Sequence, residues 1–245
     1  MRTETIKFPD QETPGVFPLE RSDLSQAIEE LGLDGGYPVI VLIGGEIEEQ
    51  KKDVTRQAIE VIAKTAQEMK AVILCGGTDM GVMAEIGQIR SEHNYNFPLV
   101  GVTPEELVTW PGGPLNTKFF GLGKERWQLE SHYSHFILVP GSEFGDESFW
   151  ISDAAILLSK GDQSVTILIN GGEISRNDIK ISLENSRPVI ALSNTGRLAD
   201  EIAQQLERNS LITVLPVVAK HAIDEDLRAA LSINERGENS LISRG

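Results

Sequence analysis

The chain has 245 residues, of which 40% are hydrophobic, and it carries a formal net charge of −15. That length and apolar content suit one large α/β domain with a substantial core. The acidic charge argues against nucleic acid and against anionic membrane surfaces as partners, because both bind basic patches. It leaves an anionic small ligand open, since backbone amides and one arginine can hold a phosphate locally.

Cysteine usage and the N-terminal sequence predict a cytoplasmic protein. The single cysteine, Cys75, allows no intrachain disulfide and fits a reducing compartment. The first residues lack the apolar core of a signal peptide, and no run reaches the ~18 apolar residues that a membrane span needs. His132 and His135 lack the further ligands of a metal site, so we expect no metal.

Apolar runs alternate with helical patterns along the chain. Residues 1–22 hold three prolines and are predicted to be irregular, and a short capped helix is predicted over 22–31. Strands are then predicted near 38–43, 71–75, 98–102, 135–139, 165–169, 188–192 and 211–215. Helices are predicted over 51–69, from Met80 onwards, and over 147–160, 174–185, 196–208 and 222–231. The stretch 104–131 is typical of a lid or binding loop.

This alternation predicts a Rossmann-like α/β fold, in which a doubly wound, mainly parallel sheet carries helices on both faces within a single domain. We divide the chain into an N-terminal extension with a short helix over 1–37, a nucleotide-binding domain over 38–231 and a flexible tail over 232–245. No linker or tandem repeat divides it further.

Three of the predicted strands end at pairs of glycines. Each pair follows an apolar run, and the pairs are Gly44-Gly45, Gly76-Gly77 and Gly171-Gly172. Glycine allows a tight turn there and lets a ligand approach the backbone closely. Because ligands bind outside the carboxyl ends of the strands in open α/β sheets, we predict that these glycines form the rim of a ligand site.

Two loops at this edge offer phosphate contacts. In the segment 76–81, amides at the start of a helix are predicted to hold a phosphate, with Thr78 and Asp79 as capping residues; the alternative is a turn without a ligand. Arg197 follows Gly196 at the start of a later helix, where a cation is poorly placed for the helix dipole. A phosphate or acidic partner explains that cost, and a solvated arginine is the alternative.

The loop 140–148 presents Glu143, Asp146 and Glu147 at the same edge. One of them is a candidate for binding ribose hydroxyls or for acting as a general base. The alternative is that they only stabilise the N-terminus of the next helix. Three tryptophans flank loops, and packing is the default interpretation for each, with stacking on a base as the alternative: Trp110, Trp127 and Trp150.

Taken in order, these segments resemble the SLOG superfamily, and within it the LSDAT branch found at the N-terminus of melastatin-type TRP channels and in free-standing prokaryotic proteins. The resembling segments are 39–45, 73–83, 99–102, 134–139, 167–172 and 195–200. The resemblance implies a domain that binds a small-molecule nucleotide, with ADP-ribose, cyclic ADP-ribose and NAD-related molecules as the leading class. Such a molecule is a ligand, and no cofactor is expected.

Motifs and resemblance together give a predicted ligand-binding set. The set is Gly44, Gly45, Gly76, Gly77, Thr78, Asp79, Gly81, Gly141, Ser142, Gly145, Glu147, Gly171, Gly172, Gly196 and Arg197. The related phosphoribohydrolases carry a Pro-Gly-Gly-x-Gly-Thr-x-x-Glu loop. Here the second glycine is Ser142, the threonine is Asp146, and the glutamate falls out of register at Glu147. We therefore expect little or no catalysis.

We interpret the chain as a cytosolic sensor of a nucleotide-derived ligand. One alternative is a phosphoribohydrolase that acts on nucleoside monophosphates, with Glu147 as its only catalytic candidate. Another is a ligand-free assembly scaffold, which has no use for an open glycine-lined rim. A free-standing sensor must pass its signal on, so we also expect a homo-oligomer and a downstream effector protein.

Overall fold

The computed structural model describes residues 1–115, 125–161, 163–205 and 209–232. Its strands are β1 Arg2–Lys7, β2 Glu12–Phe17, β3 Val39–Gly44, β4 Val72–Cys75, β5 Leu99–Pro104, β6 Val108–Thr109, β7 Trp127–Gln128, β8 His135–Val139, β9 Ser164–Ile169, β10 Val189–Ser193 and β11 Ile212–Pro216. Its helices are α1 Leu24–Glu30, α2 Lys52–Met69, α3 Gly81–Glu92, α4 Ser148–Ser159, α5 Glu173–Glu184, α6 Arg197–Gln204 and α7 Lys220–Leu231.

Nine strands form one sheet in the order β1-β2-β8-β5-β4-β3-β9-β10-β11. Every neighbouring pair is parallel except β1 and β2, which are antiparallel. The strand order reverses between β3 and β9: from β3 the chain continues outward through β4, β5 and β8, and from β9 it continues in the opposite direction through β10 and β11. Such a switch point opens a crevice at the carboxyl ends of the strands.

Helices cover both faces of this sheet, and two apolar cores result. Alternate residues of β3 face opposite sides, so that Ile40 and Leu42 pack with α2, α3 and α7, whereas Val39 and Val41 pack with α1, α4, α5 and α6. Burial on both faces is the reason that the central strands read as continuous apolar runs. The predicted doubly wound, mainly parallel, single-domain fold is confirmed.

The N-terminal residues were expected to be irregular, and that expectation is wrong. β1 and β2 form an antiparallel hairpin, and β2 extends the sheet by pairing Gly15 and Val16 in parallel with β8. The prolines that suggested an irregular segment are compatible with this, because Pro9 and Pro18 lie outside the strands and Pro14 precedes the two residues that pair with β8.

The stretch 104–131 contains more structure than a plain loop. β6 and β7 pair in parallel, and Leu129 forms an isolated antiparallel bridge with Thr78, which lies in the β4–α3 turn. Residues 116–124 of this stretch lie outside the described part of the chain, as do all but the first residue of the predicted tail over 232–245. Helix α6 ends at Gln204, earlier than predicted, because Gln205 is extended.

Gly77 has a packing role that its place in a glycine pair did not reveal. Its φ is +76°, and a Cβ atom there would lie 2.7 Å from Gly101 Cα and 3.1 Å from Phe136 Cε1. Both contacts belong to the neighbouring strands β5 and β8, so the backbone of the β4–α3 turn rests directly on the sheet. Only glycine fits at position 77, because any Cβ atom would collide with the β5 backbone and with Phe136.

We therefore expect Gly77→Ala to lower the free energy of unfolding by about 2–4 kcal/mol, through overpacking and left-handed strain together. Gly112→Ala is the matched control, since Gly112 has a φ of +82° with nothing within 4 Å of a Cβ atom. The control should lose only the strain, about 1 kcal/mol. Urea denaturation compares the two, and equal losses would contradict the packing role.

Candidate functional site

A cavity of about 520 Å³ opens at the carboxyl ends of β3, β4, β5 and β9. Apolar side chains form most of its wall, and they include Met80, Met83, Trp127, Phe144, Ile151 and Ile174. Polar groups enter at a few points, namely Glu46, Thr78, Thr103, Glu147, Glu173, Ser175, Asp178 and Arg197. An apolar crevice with a few convergent polar groups at a switch point is the usual form of a small-molecule site.

The predicted ligand-binding residues divide into two groups. The cavity wall includes Gly44, Gly45, Gly76, Thr78, Glu147, Gly172 and Arg197. The wall does not include Gly77, Asp79, Gly81, Gly141, Ser142, Gly145, Gly171 and Gly196. One or two residues of each predicted loop therefore line a common cavity. The other predicted residues belong to the same loops but lie outside the cavity wall.

The start of α3 does not offer the free amides that the sequence suggested for a phosphate. Gly81, with a φ of +49°, lies so close to the β3 loop that a Cβ atom would be 2.2 Å from Gly45 O. The amide of Val82 donates to that same oxygen, at 3.2 Å. Asp79 and Met80 donate their amides to Gln128 O and Thr78 O. These glycine positions therefore serve loop packing.

The first backbone amides of α5 differ from those of α3 in that they lack acceptors among the described residues. The amides of Glu173, Ile174 and Ser175 form its first turn and donate to no residue in the part of the chain that the structure describes. All three residues line the cavity. The Glu173 side chain turns outward, 87% exposed, and pairs with Arg176 at 3.4 Å. Free amides at the start of a twelve-residue helix favour an anion.

Arg197 lies over this first turn. A Cβ atom at Gly172 would be 2.4 Å from Arg197 Nη2, so Gly172 makes room for the guanidinium, whereas a Cβ atom at Gly45 would be in ordinary contact with Nη1 at 3.6 Å. Within the described ranges, the guanidinium makes no hydrogen bond or ion pair. Arg197 also has a φ of +44°. A bulky residue in the left-handed region is strained, and such strain is concentrated at functional sites.

Asn170 holds the loops around Arg197 in place. Its side-chain Nδ2 donates to Glu46 O at 2.9 Å, which ties the β9 end to the β3 loop. Its backbone amide donates to Thr195 Oγ1 at 2.8 Å, and its carbonyl accepts from the amide of Ala199 at 3.0 Å. Asn170 is 1% exposed with a φ of +60°. The three bonds fix where α6, and therefore Arg197, begins.

Of the three acids in the loop 140–148, only Glu147 reaches the cavity. Asp146 Oδ2 instead accepts from the amides of Ser142 and Glu143, at 2.8 and 3.2 Å, and so stabilises the turn itself. Glu143 is exposed. Glu147 Oε2 accepts from the amide of Gly145 at 2.7 Å, and the side chain is buried.

Two acids lie in the cavity wall, the buried Glu147 and the half-buried Asp178. Burial raises the pKa of Glu147 to about 7, and the negative charges of Asp178 and Asp146 add to the rise, while hydrogen bonds from the backbone amides of Glu147 itself and of Gly145 oppose it. Burial also raises the pKa of Asp178 to about 6. Each carboxyl therefore holds a proton at a higher pH than it would in water.

Phe144 and Thr103 were not singled out from the sequence, whereas Trp127 was named there with stacking on a base as the alternative to packing. Trp127 and Phe144 meet edge to face with ring centroids 5.2 Å apart, and together they form an aromatic corner of the wall. Thr103 at the end of β5 is 1% exposed, and its Oγ1 has no hydrogen-bond partner in the described segments.

The described residues contain no cluster of three or more His, Cys, Asp or Glu side chains suited to a metal ion. The two histidines that were considered have other partners, since His132 Nδ1 pairs with Glu130 Oε1 at 2.5 Å and His135 Nδ1 with Ser134 Oγ at 2.7 Å. Among the described helices, none is long and apolar enough to cross a membrane.

The raised pKa of Glu147 predicts how stability depends on pH. Between pH 4.5 and about 7, the folded protein holds a proton on Glu147 that the unfolded chain releases, so stability falls as the pH rises through that window. Glu147→Gln removes the penalty and should be more stable than the wild type by about 2 kcal/mol at pH 8, with little difference at pH 4.

Urea denaturation across this pH range measures the effect. Glu143→Gln is the control, because Glu143 is exposed in the same loop, and its stability should follow that of the wild type. A Glu147→Gln variant less stable than the wild type at pH 8 would contradict the assignment of a buried acid.

Three solved structures illustrate the fold. The molybdenum cofactor binding protein of Rippkaea orientalis is 18% identical, with a TM-score of 0.54, and the match covers 80% of this chain and 98% of that one. The molybdenum cofactor carrier protein of Chlamydomonas reinhardtii is 18% identical, with a TM-score of 0.53 and coverages of 79% and 99%. The structural-genomics target TM1055 is 19% identical, with a TM-score of 0.51 and coverages of 77% and 98%.

These likenesses concern the fold, because the identities are too low to carry a ligand from one protein to another. The family match is more specific and covers residues 37–238. It starts just before β3 and includes every cavity-lining residue. The family is a group of ligand-binding or nucleoside-related α/β domains. The chain therefore belongs to the family described as SLOG in TRPM, prokaryote, which is the prokaryotic LSDAT branch.

Proposed function

We propose that the protein binds a nucleotide-derived ligand of the ADP-ribose type in this cavity and acts as a sensor of it. The observation that carries the proposal is the Arg197 guanidinium, which has no partner among the described residues, at the open first turn of α5 beside an apolar cavity. Such a cavity needs a ligand with one anionic end and one flat, poorly hydrated end. A nucleotide has both.

The anionic end of the ligand is assigned to Arg197 and α5. A diphosphate meets a repulsive mean field in a chain of net charge −15. The amides of Glu173, Ile174 and Ser175 and one guanidinium offset that repulsion locally. Gly172 supports this placement, because any side chain there would collide with Arg197.

The base is assigned to the aromatic corner formed by Trp127 and Phe144. Stacking on aromatic side chains is favourable for every base, since each presents a flat π face. A volume of about 520 Å³ lies within the range of small-molecule sites. The two acids of the wall, the buried Glu147 and the half-buried Asp178, are left for the polar edge of the base or for ribose hydroxyls.

A sensor acts by changing an equilibrium in the protein, and we propose that binding is passed to a second copy of the chain or to an effector protein. The cavity is bordered by the first turn of α5 and by the loop before α4. A ligand that contacts both segments stabilises the conformation that they have in the bound state. This difference between the free and bound states is the thermodynamic requirement for passing on a signal.

We expect ADP-ribose in excess over its Kd to raise the melting temperature, since a ligand that binds only the folded state stabilises it by mass action. Cyclic ADP-ribose, NAD, AMP and ADP complete the panel, with ribose 5-phosphate and adenosine testing the two ends separately. An unchanged melting temperature across the whole panel would contradict the proposal and favour the scaffold alternative.

Arg197→Ala should weaken ADP-ribose binding by about 1.5–3 kcal/mol, the range for a hydrogen bond to a charged group. Arg197→Lys should recover only part of this loss, because an ammonium cannot copy the fork geometry. Calorimetric titration measures both variants, with Arg2→Ala as the control at an exposed arginine outside the cavity. Equal affinities of the wild type and Arg197→Ala would remove Arg197 from the site.

A second candidate function is N-glycoside hydrolysis of a nucleoside monophosphate. The observation that favours it is the placement of Glu147, with its raised pKa, beside Asp178 in the cavity wall, since paired acids of different pKa suit acid–base chemistry. The altered loop 140–148 argues against it. Chromatography of AMP incubated with the protein decides, because released adenine would show hydrolysis and intact AMP would leave the sensor role.

A further inference from the structure

We propose that Glu147 binds the edge of the ligand's heterocycle as a neutral acid, through one donor and one acceptor. This deepens the proposed function and rests on it. It narrows the ligand class to heterocycles whose edge carries an acceptor nitrogen beside an amino group, as in 6-aminopurine. It also makes binding dependent on pH.

The geometry of the carboxyl group leaves one donor and one acceptor for a ligand. Oε2 already accepts from the amide of Gly145 at 2.7 Å, and the backbone amide of Glu147 itself also interacts with the carboxyl group, so that the two amides fix its orientation. A proton on Oε1 then provides a donor, and the remaining lone pair of Oε2 provides an acceptor. An amino N–H and a ring nitrogen of 6-aminopurine complement these two groups.

The aromatic corner presents the ring to Glu147 by its edge. Phe144 precedes Glu147 by three residues in the same loop, and Trp127 closes the corner from the other side. The two rings meet at 77°, so a base can stack on one of them while the other ring contacts its edge. The same cavity wall carries Glu147 and Asp178, which are the acids available to the polar edge of such a base.

The charges that face Glu147 favour its neutral form. Burial is the main reason that the pKa of Glu147 is raised to about 7; backbone hydrogen bonds oppose the rise, and the charges of Asp178 from α5 and Asp146 from its own loop add to it. The remaining charged residues of the cavity wall are Glu46, Glu173 and Arg197, so acids outnumber cations. No histidine lines the cavity within the described segments, which leaves Glu147 and Asp178 as the groups that titrate there near neutral pH.

An ionised Glu147 would select a different ligand. A carboxylate only accepts hydrogen bonds, and it suits an edge with two adjacent donors, such as the N1–H and amino group of guanine. Against 6-aminopurine, the carboxylate would oppose the lone pair of the acceptor nitrogen. The two protonation states therefore predict opposite changes of affinity with pH.

Calorimetric titration of ADP-ribose from pH 6 to 8 tests the inference, because its diphosphate diester does not titrate in that range. If only the neutral acid binds, the affinity should fall about tenfold from pH 6 to pH 8, in proportion to the protonated fraction of Glu147. Glu147→Gln carries a permanent donor and acceptor, so it should bind at both pH values with the affinity that the wild type has at pH 6.

Asp178→Asn provides an independent readout that does not alter Glu147 itself. Removal of the neighbouring charge should lower the pKa of Glu147, so that the affinity begins to fall at a lower pH than in the wild type. Melting temperatures of both variants without ligand confirm that they fold.

The outcomes separate this inference from the proposed function. Absence of ADP-ribose binding in every variant at every pH overturns the proposed function. Binding by the wild type that is independent of pH, or that strengthens as the pH rises while Glu147→Gln binds weakly, leaves the proposed function standing and overturns the neutral-acid role.

Discussion

The geometry of the site depends on one buried asparagine. Asn170 joins the ends of β3, β9 and β10 by three hydrogen bonds, made by its side chain to Glu46 O, by its amide to Thr195 Oγ1 and by its carbonyl to the amide of Ala199. Parallel strands bring these loops to one edge of the sheet but do not fix their spacing. The Asn170 bonds supply that spacing, and the strained start of α6 is held in place by them.

A balance of charge around the cavity follows from that arrangement. Arg197 and the first turn of α5 attract anions, whereas added negative charge is unfavourable beside Glu147 and Asp178, and Asp178 lies on α5 only three residues after Ser175. A ligand that holds its phosphates at Arg197 and places neutral groups against the two acids satisfies both conditions. The acidic net charge of the chain is thus compatible with an anionic ligand whose charge is held at Arg197.

The sequence predicted the core of the fold well because that core has a clear pattern. β3, β4, β5, β8, β9 and β10 are continuous apolar runs between helices, and each was located within one or two residues. The N-terminal hairpin was missed, because its two strands lie at the edge of the sheet, include or adjoin prolines at Pro9, Pro14 and Pro18, and show only partial burial. Such strands are determined by pairing with β8, which a local pattern does not reveal.

The sequence located the edge of the sheet that holds the site, but not which residues face it. Glycine pairs marked the strand ends, yet Gly44 and Gly76 line the cavity whereas Gly77 and Gly171 do not, because that choice depends on tertiary packing. Asp178 was missed, since an acid on a helix resembles a solvated one until the helix is packed. The sequence suggested phosphate contacts at the start of α3, where the amide of Val82 donates to Gly45 O, and did not suggest α5, whose first three amides donate to no described residue.

The central claim is that one cavity holds the phosphates at Arg197 and α5 and the base against the aromatic corner of Trp127 and Phe144. A crystal structure of the protein with ADP-ribose tests this most directly. We expect a phosphate oxygen within hydrogen-bond distance of the Arg197 guanidinium and of an amide in residues 173–175, and the adenine against the aromatic corner. An ADP-ribose molecule bound elsewhere, or in this cavity with its phosphates away from Arg197, would contradict the account.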